Sequence, residues 1–111
     1  MKKLFLLFLF PLSAFSQYTS IPDTNFEQSL INYGYDLVKD GFVETSAIDT
    51  VTDLTINNNN ISDLTGIESF IALQSLFCYD NNLSTLNLVN NTQLFEVTCS
   101  NNNLTSIDLR N

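Results

Sequence analysis

A fixed step of 21 residues runs through the second half of the chain. It carries Leu73 to Leu94, Leu76 to Val97, Cys78 to Cys99, Asn81 to Asn102, Leu83 to Leu104, Leu86 to Ile107 and Leu88 to Leu109. A copy 22 residues upstream supplies Val51, Leu54, Ile56, Asn59, Ile61 and Leu64. Three copies therefore share one pattern, apolar-x-x-apolar-x-apolar-x-x-Asn-x-apolar-x-x-apolar. A tandem period of this length means stacked units, none of which buries its apolar edge alone.

The pattern has a local physical reading. Leu76 and Cys78 are two residues apart, so both point to one side of a strand. Ser75, Phe77 and Tyr79 point to the other. Asparagines follow, and they tolerate the unusual backbone angles of a turn. Leu83 and Leu86 then face inward again. Coils stacked about 4.8 Å apart bury these apolar edges against one another.

The repeat resembles the leucine-rich repeat, whose signature is L-x-x-L-x-L-x-x-N-x-L. Each copy fills the apolar slots and the asparagine, with cysteine in one leucine slot twice. The resemblance covers roughly residues 50–111. It implies an α/β solenoid whose coils share a short parallel sheet. It also implies an asparagine ladder of Asn59, Asn81 and Asn102, each amide bonding backbone groups that the turn leaves unpaired. Leucine-rich-repeat proteins commonly bind protein partners, and sometimes glycans, on the outward strand face. That face is expected to hold Asp53, Thr55 and Asn57, then Ser75, Phe77 and Tyr79, then Glu96, Thr98 and Ser100. Phe77 and Tyr79 are its sharpest candidates, as aromatics among polar neighbours.

The start, "MKKLFLLFLFPLSAFSQ", places two lysines before an apolar run, and then small residues. Ala14-Phe15-Ser16 suits cleavage before Gln17. The run is short for a bilayer span, and Pro11 interrupts it. The expected organisation is a signal peptide at 1–16, an N-terminal helical cap at 17–49, and about three repeats at 50–111 with no C-terminal cap. Without a cap, Val97, Cys99, Leu104, Ile107 and Leu109 would face water. The expectation is that further repeats or a partner chain cover them, in a chain truncated within its repeats.

In the N-terminal segment, "IPDTNFEQSLINYGYD" reads as a helix. Pro22 suits a first turn, Asp23 or Thr24 can cap it, and Gly34 ends it. Phe26, Leu30, Ile31 and Tyr33 fall at helical spacing. An "IPDxNFE" start before short asparagine-rich repeats resembles secreted bacterial leucine-rich-repeat proteins.

The chain has twelve acidic and four basic residues, a formal net charge of −8. Loss of Lys2 and Lys3 with the leader would leave −10, with Lys39 and Arg110 as the remaining bases. Such a surface repels phosphate backbones and anionic lipid heads, so neither nucleic acid nor membrane insertion after leader cleavage is expected. There is no histidine, the commonest general base and metal ligand.

Cys78 and Cys99 fill inward slots of adjacent coils, where free thiols pack as small apolar groups. A disulfide between them is the alternative, although in-register side chains strain such a bond. Two thiolates alone do not complete a tetrahedral metal site. "DLVKDGFVE" fits an EF-hand at Asp36, Asp40, Gly41 and Val43. It fails at Val38 and Ala47, so an ordinary turn is expected and no metal or cofactor. Asn60, Asn82, Asn90 and Asn103 open N-x-S/T triplets, and the repeat itself writes three of the four, at Asn60, Asn82 and Asn103.

No catalytic constellation emerges, so an enzyme is not expected. The expected function is a secreted or cell-surface interaction module that binds protein, or glycan, on its strand face, with a periplasmic location also open. The alternative is a structural spacer in a longer exported adhesin or hydrolase.

Overall fold

The computed structural model describes residues 17–109. The expected leader, residues 1–16, lies outside the described residues. The elements are β1 (Tyr18–Ser20), α1 (Thr24–Asn32), β2 (Phe42–Glu44), a 3₁₀ turn (Thr45–Ala47), β3 (Asp53–Thr55), a second 3₁₀ turn (Ile67–Ser69), β4 (Ser75–Phe77), β5 (Thr85–Asn87), β6 (Glu96–Thr98) and β7 (Ser106–Asp108).

The repeat sets the register. Leu54 pairs with Leu76, and Leu76 with Val97, in a parallel sheet ordered β3-β4-β6. A second parallel pair, β5-β7, joins Leu86 to Ile107. These partners are the residues that the 21- and 22-residue steps relate. Each strand has three residues, so the sheets are narrow strips.

Inside lie Val51, Leu54, Ile56, Ile61 and Leu64 of the first coil, and Leu73, Leu76, Cys78, Leu83, Leu86 and Leu88 of the second. The third coil is less enclosed. Val97, Cys99 and Leu104 are half-buried, while Ile107 and Leu109 are exposed. Asn58, Asp80 and Asn101 stand at the same repeat position, with φ of 57°, 58° and 56°. That is left-handed backbone, which short Asn and Asp side chains enter more readily than other non-glycine residues.

The N-terminal segment holds more than the expected helix. β1 and β2 form an antiparallel ribbon, with Thr19 opposite Val43. Thr19 Oγ1 bonds both Thr45 Oγ1 (2.7 Å) and Ser69 Oγ (2.9 Å), which ties the ribbon to the first coil. Helix α1 buries Phe26 and Leu30, and Phe26 stacks on Phe70 with ring centroids 6.3 Å apart.

Asp23 is the N-cap of α1. Its Oδ1 accepts from Asn25 N and Phe26 N. Its Oδ2 accepts from Ser62 N (2.8 Å) and Asp63 N (3.0 Å) of the first coil. One carboxylate thus starts the helix and fastens it to the repeats. Gly66 (φ 109°) allows the close approach of β1, because a Cβ there would collide with the Ile21 side chain and lie 2.8 Å from Ser20 O.

Candidate functional site

Alternation along the narrow strands turns one set of side chains away from the core. Asp53, Ser75 and Glu96 share one row across the sheet, and Thr55, Phe77 and Thr98 share the next. Past the strand ends the face continues as loops. Tyr79 N donates to Asn57 Oδ1 (3.0 Å), Asn58 N to Tyr79 O and Asp80 N to Ser100 O. Asn101 Nδ2 reaches Asp80 Oδ1 at 2.8 Å.

The nine expected face residues are not equally available. Asp53, Thr55, Tyr79, Glu96 and Ser100 are exposed, and Asn57, Phe77 and Thr98 are half-buried. Ser75 departs from expectation, because it is only 5 % exposed. Its short side chain lies on the central strand, with Asp53 and Glu96 in register on either side. Tyr79 keeps 38 % of its surface in water.

The structure adds an aromatic at the free edge of β3, beside this face. Tyr33 is not a core residue of α1; it is the helix C-cap and 46 % exposed. Its Oη donates to Thr55 O (2.8 Å), and its ring stacks on Tyr35 at 5.4 Å and 11°. The Tyr-Gly-Tyr spacing is the sequence signal. Gly34 (φ 84°) turns the chain so that both rings lie together.

The asparagine corner is built at two positions. Asn81 Oδ1 accepts from Asn59 N and Ile61 N of the coil before, both at 3.0 Å. Its Nδ2 donates to Ile56 O (2.9 Å) and Cys78 O (3.0 Å). Asn102 repeats the arrangement one coil on, with Leu83 N, Cys78 O and Cys99 O. Asn59 differs, because no repeat coil precedes it. Among the described residues its backbone N–H is bonded and its side chain is not. Asn91, which the repeat pattern does not single out, is fully buried and donates to Ile67 O and Phe70 O, closing the second 3₁₀ turn.

Cys78 and Cys99 are free thiols. Burial, with a smaller contribution from Cys99, pushes the Cys78 thiol up to about 12, so it stays protonated at neutral pH.

The turn that fails as an EF-hand has another organisation. Glu27, buried on α1, accepts from Asp40 N (3.0 Å) and Gly41 N (2.9 Å). Glu27, Asp36 and Asp40 each bring a carboxylate oxygen within 4.8 Å of the others. This is a donor set for a hard cation, although Glu27 already serves as a clasp on the turn. Burial, and then the carboxylate of Asp36, push the Glu27 carboxyl up, while the Gly41 and Asp40 N–H groups hold it back.

No protein-family profile matches the chain. Over 71 residues it is 35 % identical to internalin J of Listeria monocytogenes, a match that spans 64 % of this chain and 8 % of that protein. The solved functional domain of internalin J, described as including a cysteine ladder, matches with a TM-score of 0.69 and 34 % identity. That match covers 81 % of this chain and 21 % of the other. Internalin C2 of the same species shares the fold at 21 % identity and a TM-score of 0.67, over 86 % of this chain and 50 % of its own. The fold is that of a leucine-rich-repeat protein. The homologues of this chain are the Listeria internalins, of whose length it spans only a part.

Proposed function

We propose that the chain is an exported interaction module that binds a protein ligand on its strand face, with residues 17–49 capping the first coil. One observation carries this reading. Phe77 and Tyr79 offer aromatic surface along β4 and the loop after it, with Tyr33 at the β3 edge and Asp53, Glu96 and Asp80 around them. Aromatics that a fold leaves partly open among polar groups suit a contact hot spot. The lysine-led apolar start and the internalin homology support export to the medium or the cell surface. Among the described residues, no helix is long and apolar enough to cross a membrane. The reading is one of binding and not of catalysis.

The test is capture from two arrays, one of extracellular protein domains and one of glycans. Protein hits are expected, and they should vanish in a Phe77→Ser/Tyr79→Ser variant that still melts cooperatively. Retained capture would remove this face, and hits on the glycan array alone would change the ligand class.

A further inference from the structure

The N-terminal segment carries a second concave surface. A groove of about 380 Å³ lies between the 34–40 loop and the β1-β2 ribbon. Tyr18, Leu37, Val38 and Phe42 supply its apolar wall. All four are exposed, Leu37 by 89 % and Tyr18 by 61 %. Among the described residues, four of the ten large exposed apolar side chains therefore meet at one groove. Scattered surface apolar residues are ordinary, but a cluster with a polar rim marks a contact surface.

The rim has one sign. Asp36, Asp40 and Glu44 line the groove, and no base does. Lys39, the one basic residue among those described, sits in the same loop outside the lining. A second copy of this chain would bring its own net charge of −8 to the rim, and an anionic lipid surface would bring like charge too. A hollow of about 390 Å³ shares Tyr35 and Ala47 with the groove and ends at Asp53 on the strand face.

We infer that this groove docks a segment of a partner protein in which lysine or arginine alternates with aliphatic side chains. In an extended segment that spacing sends the two kinds of side chain to opposite sides. The aliphatic side covers Leu37, Val38 and Phe42. The cations meet Asp40 and Glu44, and the ring of Tyr18, opposite Glu44 in the ribbon, attracts them further. This docking stands independently of the strand-face reading.

The test uses the full chain and two labelled peptides, one alternating lysine with leucine and the other glutamate with leucine. Fluorescence anisotropy should show binding of the lysine peptide alone, weakening as salt rises. Leu37→Ser/Glu44→Lys should weaken it about tenfold or more, with unchanged melting. Lys39→Glu should tighten it, which keeps the proposal decidable if the double variant does not fold. Phe77→Ser/Tyr79→Ser should leave it unchanged. Equal binding of both peptides, or indifference to both groove variants, would overturn the proposal. So would loss in the strand-face variant alone, or a dimer that Leu37→Ser dissociates.

Discussion

Replacing Asn81 by alanine strands three backbone groups at once. The N–H groups of Asn59 and Ile61 lose their acceptor and the carbonyl of Ile56 loses its donor, whereas Cys78 O keeps Asn102 Nδ2. Two of these three bonds are buried. A buried polar group left unpaired costs about 1–3 kcal/mol. At the low end, two such groups make the loss about 2 kcal/mol, a large share of a small domain's stability. Asn102→Ala should cost less, about 1 kcal/mol, because its bonds are only partly buried and water can replace the amide. Asn59→Ala should stay within about 0.5 kcal/mol, since its side chain carries no bond among the described residues. Urea unfolding followed by circular dichroism, with the three variants side by side, measures the order. If Asn81→Ala is no worse than Asn59→Ala, the ladder has no energetic role and the corner is held by turn propensity alone.

Four further outcomes are expected. Gly66→Ala should destabilise by about 2 kcal/mol or more, because the new Cβ is both strained at φ 109° and driven into Ile21; an unchanged melting temperature would contradict the close approach. Asp23→Ala should cost about 2 kcal/mol, since it loses the cap of α1 and the tie to Ser62 and Asp63 together, and urea titration against Asp23→Asn checks this. The raised Glu27 carboxyl binds its proton more tightly in the folded chain than in the unfolded one. Its stabilising contribution is therefore full below the unfolded pKa and lost as pH rises through the folded one. Wild type should gain melting temperature over Glu27→Gln on acidification, and a pH-independent difference would sink the idea. Finally, Cys99 should react with a thiol reagent in the native state while Cys78 reacts only on unfolding, as stopped-flow labelling would show.

What the sequence made legible is what repeats. The pairing of Leu54, Leu76 and Val97 follows from steps of 22 and 21 residues, because stacked coils put equivalent residues in register. Helix α1 was legible because its cap, apolar spacing and terminal glycine are all local. The misses are long-range. The β1-β2 ribbon joins two three-residue strands more than twenty residues apart, too short for any period to show. The second bond pair of Asp23, the Tyr33 bond to Thr55 and the Glu27 clasp each need the folded chain to bring the partner near. Asn91 was hidden because its partners lie in the first coil's 3₁₀ turn, an element that the repeat pattern does not mark. Ser75 stands in the expected row but is buried there, because strand alternation gives direction and not depth.

The asparagine corner also gives the molecule an order of assembly. Asn81 serves the N–H groups of the coil before it, and Asn102 does the same for the next. Each coil is thus left incomplete by its own residues and finished by the one that follows. Synthesis from the N-terminus supplies the coils in that order, so each new turn brings the amide that its predecessor lacks. A break in the middle of the row would expose the coil upstream of it sooner than the coil downstream.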